Sequence, residues 1–219
     1  MITIISDLSG VLIQGGIEGA KIAEQHLGIP AIKFLWWYMR LHDTYNRLLR
    51  GEISERTFWE IFIDKGRFDC TVEQLTDCLR ENIGRVIPGT LMVYESIVAC
   101  PDRLGSHHVI SYGDKPQFIL ASDHCQDCIP FLKRIHPDIF RLFADTYFSC
   151  DIGLRKRDDA RFLTRILYEH NLRPGEVVFV DDNPKNLRVA RKISITSIRF
   201  RSAKDLKNKL RHLGFEFIS

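Results

Sequence analysis

The sequence predicts an α/β fold, a Rossmann-like parallel sheet carrying an inserted helical cap, and three observations predict it. A short β-branched run opens the chain at residues 2–6, no further strand-like run follows until about residue 117, and from there strand and helix patterns alternate to the end. Alternation of this kind builds a parallel sheet with helices on both faces. Ligands of such sheets sit beyond the carboxyl ends of the strands. On this reading residues 1–13 and 89–219 form the α/β core and residues 14–88 the helical cap.

The elements follow in order. Gly10, Gly15 and Gly16 loosen the chain after the first strand. Ile17 to Leu27 reads as a helix ending near Gly28, and Pro30 opens a longer one running to Arg50 and stopping at Gly51. Ser54 caps a helix containing Phe58, Trp59, Ile61 and Phe62, and Thr71 with Gln74 makes a capping box for the next. Pro88-Gly89 marks the return to the main body, where Thr90 caps a helix to about Ala99. Pro101 to Lys115, with His107 and His108, reads as a surface loop. Strands are expected at 117–121, 145–148, 177–181 and 195–200, with helices near 126–135, 159–171, 184–193 and 203–213. Asn183-Pro184 is a cap followed by proline in the first helical position, and Ser202 with Asp205 repeats the capping-box pattern.

Composition narrows the function classes. A chain of 219 residues, 45% hydrophobic and 27% charged, has the make-up of an ordinary globular protein. It has no apolar run long enough to span a membrane and no basic stretch before its first apolar run, so a cytoplasmic protein is expected. A net charge of +3 says little about partners. The basic C-terminal run from Arg199 to Arg211 is broken by acidic and apolar residues, which argues against nucleic acid. The aromatic concentration Phe34, Trp36, Trp37, Tyr38 and Trp59 is the packing of a small helical module first, and a substrate surface second. Arg40 and Arg47 fit a solvated face. Six cysteines do not make a disulfide scaffold. Cys125-Gln126-Asp127-Cys128 after His124 reads as reduced thiols on a helix. The alternative is a redox or zinc half-site that no second CxxC or HxxxH completes.

The chemistry concentrates at strand ends. Asp7 closes the first strand, Ser122 the second, and Asp181-Asp182 the apolar run Val177-Val178-Phe179-Val180; Lys156 lies in a loop between the last two. Two acids ending an apolar strand are costly to bury without a cation. A carboxylate takes a phosphoryl group when the charge on that group is neutralised by a hard cation and a fixed ammonium. Asp7 supplies the nucleophile and a metal ligand, Asp181 and Asp182 complete the acidic wall, and Ser122 and Lys156 hold phosphate.

Four ordered segments carry a resemblance: Asp7-Leu8-Ser9-Gly10-Val11, Ile119-Leu120-Ala121-Ser122, Gly153-Leu154-Arg155-Lys156 and Val180-Asp181-Asp182-Asn183, the last continuing to Asn186 and Ala190. Together they resemble the haloacid dehalogenase-like (HAD) hydrolase superfamily over residues 2–13 and about 117–200. Within it the chain looks most like the subgroup of small sugar-phosphate phosphatases and the N-terminal phosphatase domain of bifunctional epoxide hydrolases. The resemblance implies a Mg²⁺-dependent phosphomonoesterase of a small phosphorylated metabolite, acting through an aspartyl-phosphate. Catalysis then rests on Asp7, Ser9 and Lys156; Ser122, Asp123 and Lys156 contact substrate; Asp7, Ser9, Asp181 and Asp182 hold Mg²⁺, Ser9 through its carbonyl. A helix-capping role for Ser122-Asp123 is the plain alternative.

Three departures stand against the family pattern. Ser9 replaces the second aspartate that protonates the leaving oxygen, help worth roughly 10²–10⁴ in rate. His124 is a possible substitute acid, with a surface or helix-cap histidine the first reading. Arg157 stands where proline is usual, making Arg155-Lys156-Arg157 a basic cluster that reads as solvent-facing. The loop 101–115 is longer than expected. A catalytically degenerate HAD-fold binding protein and a metal-free haloacid dehalogenase are the competing readings.

Overall fold

The computed structural model describes residues 2–15, 19–82, 84–98 and 116–217, and the loop 101–115 with its histidines lies outside them. Five strands form one parallel sheet in the order β3-β2-β1-β4-β5: β1 Thr3–Ser6, β2 Gln117–Ser122, β3 Asp145–Phe148, β4 Val177–Asp181 and β5 Thr196–Arg199. All four residues of β1 and all five of β4 are buried, as expected of parallel strands covered on both faces. Thr3 sits opposite Gln117 on one side and Val177 on the other, so Ser6 faces Leu120 and Val180. The register therefore ends β1, β2 and β4 almost level. The chain turns outward from β1 in both directions, which makes its carboxyl end the crevice of the sheet.

Successive side chains of a strand point to opposite faces. Ile4, Leu120 and Val180 pack with helices α6 (Thr90–Val98), α7 (Cys128–Ile135) and α12 (Ala203–His212). Ile5, Ile119 and Phe179 pack on the other face with α10 (Arg161–Glu169) and α11 (Pro184–Lys192). Two short helices, α8 Pro137–Arg141 and α9 Ser149–Ile152, fall where no helix is expected from sequence. Both are too short for a periodic apolar signal.

Between β1 and α6 lie α1 Gly19–Leu27, α2 Ala31–Arg40, α3 His42–Leu49, α4 Glu55–Gly66 and α5 Val72–Asn82. They share a core of their own, built on Ala23, Phe34, Phe58, Trp59, Phe62 and Leu75. Phe34 meets Phe62 at 4.8 Å between ring centroids, and Phe58 meets Trp59 at 4.8 Å. Arg40 and Arg47 are exposed, as their sequence context suggests. The way out of the sheet and the way back are zipped together: Gln14 donates to the Arg85 carbonyl and Ile87 to the Leu12 carbonyl, both at 2.8 Å.

Local chemistry explains most helix ends. Ser54 Oγ accepts from the Thr57 amide; Thr71 and Gln74 make both halves of a capping box; Asn183 caps α11 ahead of Pro184. Ser202 accepts from the Asp205 amide, while the Asp205 carboxylate turns to Lys209 instead. Two expectations fail. The helix from Pro30 to Arg50 is broken at Leu41, because its halves serve different partners: α2 packs on α1 and α4, α3 on α4 and α9. Thr90 caps nothing, since the Gly89 carbonyl already accepts from Val93 and the buried Thr90 hydroxyl has no partner among the described residues.

Candidate active site

Asp7 follows β1 directly, its amide still bonded to the Val180 carbonyl at 2.9 Å, so the sheet fixes its backbone. Its Oδ1 accepts from the Leu8 amide at 2.7 Å and its Oδ2 meets Lys156 Nζ at 2.7 Å. Lys156 is buried and donates also to Asp181 Oδ2 at 2.8 Å and the Ala121 carbonyl at 2.9 Å. One ammonium thus serves the ends of three neighbouring strands. Burial alone would lower its pKa, but Asp181 and Asp7 outweigh that and hold the lysine charged, well above its ordinary value. Burial pushes the Asp7 carboxyl up, and Asp181 adds to this, against the pull of Lys156.

The two acids after β4 divide their work. Asp181 accepts from the Asn183 amide, from Asn186 Nδ2 on both oxygens, and from Lys156. It is a fully satisfied buried carboxylate that positions its neighbours. Asp182 is exposed. Its carboxylate lies against the backbone of Gly10, where a Cβ would come within 2.6 Å of Asp182 Cγ, and Gly10 itself has φ +85°. Glycine is required there on both counts. One carboxylate oxygen from each of Asp7, Asp181 and Asp182 falls within 4.8 Å of the others. An all-oxygen set with net negative charge left over after Lys156 suits a hard divalent cation such as Mg²⁺.

The remaining predicted residues fall around this group. Ser122 ends β2 fully buried, and its Oγ has no hydrogen-bond partner among the described residues. A buried hydroxyl without a partner costs free energy, and a phosphate oxygen would satisfy it. Asp123 accepts from the Lys156 backbone amide at 3.0 Å, so it orients the lysine loop. Neither residue caps a helix, because α7 begins only at Cys128. Ser9 is half-buried on the wall of a cavity of about 180 Å³ between the helical module and the sheet, shared with Asp123, His124, Tyr45 and Trp59.

Two sequence readings are corrected. Arg155-Lys156-Arg157 does not face solvent. Arg155 is buried, bonded to Asp158 and to Asn46 of α3, while Arg157 reaches His42 at 2.9 Å and Asn46 at 3.3 Å. Apart from the local Arg155–Asp158 pair, the cluster is consumed in tying the loop after β3 to the helical module, which no local pattern reveals because Asn46 and His42 lie more than a hundred residues away. His124 is neither a surface residue nor a helix cap. It is half-buried, its amide held by Ser149 Oγ at 3.0 Å and its ring beside Cys125. Asn46, Arg155 and Glu55 are the polar contacts that sequence reasoning missed.

No protein-family model matches the chain. A chloroplast flavin mononucleotide hydrolase of Arabidopsis thaliana is 26% identical over 168 residues, 75% of this chain, and the chain spans 60% of that relative's length. A HAD family enzyme of Bacteroides thetaiotaomicron superposes with a TM-score of 0.70 at 15% identity, covering 96% of this chain and 98% of its own. That enzyme has also been solved with magnesium, and with magnesium and inorganic phosphate. An L-2-haloacid dehalogenase matches with a TM-score of 0.67 at 13% identity, covering 97% and 99%.

The chain has the HAD fold. Within that fold Asp7, Ser122, Lys156 and Asp181-Asp182 converge at the carboxyl edge of the sheet.

Proposed function

We propose that the protein is a Mg²⁺-dependent phosphatase of a small phosphorylated metabolite that works through an aspartyl-phosphate on Asp7. The observation that carries this reading is the buried Asp7–Lys156–Asp181 group beside a Ser122 hydroxyl that lacks a partner. The magnesium and phosphate complex of the Bacteroides enzyme and the flavin mononucleotide hydrolase named for the Arabidopsis relative support it.

In the first step an Asp7 oxygen bonds to phosphorus as the bond from phosphorus to the ester oxygen breaks. Lys156 opposes the negative charge of both partners, and Ser122 donates to a non-bridging oxygen. The departing oxygen finds no carboxylic acid at Ser9 and takes its proton from solvent. Substrates with a weakly basic leaving oxygen, such as anomeric or acyl phosphates, therefore suit this chain. In the second step water adds to phosphorus and the bond to Asp7 breaks, restoring the carboxylate. Asp7 and Asp182, with Asp181 behind them, would hold Mg²⁺, which supplies charge neutralisation at the transferring phosphoryl group. The cavity of about 180 Å³ between cap and core fits a compact organic group.

The test is phosphate release from a panel of phosphorylated metabolites, flavin mononucleotide and p-nitrophenyl phosphate included, with Mg²⁺ and with EDTA. Asp7→Asn is expected to lose turnover by roughly 10⁴-fold or more while keeping its fold. Turnover that survives in EDTA or in Asp7→Asn defeats the reading. Halide release from a 2-haloacid without metal would replace it with dehalogenation, and binding of phosphate without any turnover would replace it with a binding protein.

A further inference from the structure

We propose that His124, Cys125 and Cys128 of the core, together with Glu55 of the cap, form a second metal site, for a borderline divalent ion of the zinc class. The donor set is what sets this place apart from the carboxylates of the active site. Two sulfurs, an imidazole and one carboxylate select zinc-like ions, whereas oxygen-only sets select magnesium.

The sequence offers only half a site, and the fold brings a fourth donor to its edge. Donor atoms of His124, Cys125 and Cys128 lie within 4.8 Å of one another. Glu55, more than seventy positions away, brings its Oε1 to 3.4 Å from Cys128 Sγ. The Cys128 amide donates to the Cys125 carbonyl at 3.3 Å, closing a turn that sets both sulfurs on one side. The sulfurs are 2.7 Å apart. In a tetrahedral zinc site they would stand about 3.8 Å apart, so they must part by roughly 1 Å. Side-chain rotation at Cys128, which is only partly buried, accommodates that.

The surroundings are those of held ligands. Glu55 is buried, paired with Arg80 at 2.5 Å and hydrogen-bonded by Trp59 Nε1 at 3.4 Å. Partners of this sort fix the orientation of a coordinating carboxylate. Charge also balances: two thiolates and a carboxylate are matched by a divalent ion and the Arg80 guanidinium. A disulfide between the cysteines would use two of the four donors and leave Glu55 against an uncharged sulfur. Because one ligand belongs to the cap and three to the core, a bound ion fastens the cap over the cleft, next to Asp123, which orients Lys156.

The test uses the full chain, stripped with a chelator, kept reduced with a phosphine and titrated with Co²⁺. The expected result is one equivalent bound in tetrahedral geometry, with its visible bands and thiolate-to-cobalt charge transfer in the near ultraviolet, all reversed by one equivalent of Zn²⁺ and untouched by excess Mg²⁺. Cys125→Ser and Cys128→Ser should each weaken binding by at least about 100-fold, and Glu55→Gln by about tenfold or more. Asp7→Asn should leave the cobalt spectrum unchanged, which separates this site from the catalytic one and makes the result independent of the phosphatase reading. Metal content of the untreated wild-type protein gives a second measure should a cysteine variant fail to fold. A titration without tetrahedral bands, or cobalt binding as tight in both cysteine variants as in the wild type, overturns the proposal. So does a cobalt-silent protein that glutathione disulfide converts to a Cys125–Cys128 disulfide, for then the pair is a redox couple.

Discussion

Lys156 reaches its carboxylates from a loop braced by the sheet on every side, whereas Asn46 and Glu55 reach the core from helices that otherwise pack chiefly on one another. The first arrangement has no freedom: three strand ends, one ammonium and two buried acids are level and mutually satisfied. The second is an aromatic module with its own core, joined to the sheet by paired connections and a few polar contacts. Charges that must oppose a phosphoryl group need a frame that does not relax. Groups that must admit and release a substrate need a joint that does. In the proposed phosphatase the two halves of the molecule would meet those needs with opposite construction.

The sharpest way to break the comparison is to empty the middle of the rigid half. Lys156→Met leaves Asp7 and Asp181 buried without their shared counter-charge, a change that costs about 3–5 kcal/mol when one partner of a buried pair is removed. The urea midpoint should fall accordingly, and Mg²⁺ should stabilise the variant more than the wild type. A midpoint within experimental error of the wild type would mean the lysine is not the keystone of the sheet edge.

The next effect concerns the chemistry alone. Ser9→Asp restores an acid on the cavity wall, where half-buried Ser9 already has room, and should raise turnover of alkyl phosphates by roughly 10²-fold. Anomeric or acyl phosphates, whose leaving oxygens need less help, should gain far less. An equal gain for both classes would mean that leaving-group protonation is not what Ser9 lacks.

How much of this was legible in the sequence follows the same division. Strands and their terminal residues could be read because a buried parallel strand writes itself locally, as Val177-Val178-Phe179-Val180 does before Asp181. The capping box at Thr71 and Gln74 is local too. Asn186 follows Asp181 by one helical turn and a cap, so its place was visible although its two bonds to that carboxylate were not. The joint between the halves was hidden. Arg155 reads as a surface cation because an i,i+3 pair with Asp158 is common at a surface and its contact with Asn46 of α3 leaves no mark in the local sequence, and Leu41 gives no sign of a break because its cause lies in what α2 and α3 pack against. Asp182 differs from Asp181 in burial and in hydrogen-bond partners, which two identical adjacent residues cannot announce.

That difference gives the next test. Asp182→Asn removes the exposed acid against Gly10 and leaves every hydrogen bond of Asp181 in place. It should raise the Mg²⁺ concentration needed for half-maximal turnover by about tenfold or more with little change in thermal midpoint, since exposed substitutions cost within about 0.5 kcal/mol. Asp181→Asn should do the reverse, lowering the midpoint because Lys156 loses a partner. If both variants behave alike, the division of labour between the two acids is wrong.

The smallest effect lies at the joint. Asn46 Oδ1 accepts from both Arg155 and Arg157, so Asn46→Ala takes one acceptor from each guanidinium, while Arg155 keeps its two bonds to Asp158 and Arg157 its contact with His42. The cost of a buried donor left without its acceptor is about 1–3 kcal/mol, at the low end here because Arg155 remains paired. What matters is where that cost appears. Hydrogen exchange should quicken in α2, α3 and α4 while amides of β1 and β4 keep their protection, because local opening follows the weaker unit. The substrate KM should rise more than kcat falls, since Asp7, Lys156 and Ser122 are untouched. If exchange instead quickens evenly through the sheet, the cap and core open as one body and the joint is no joint at all.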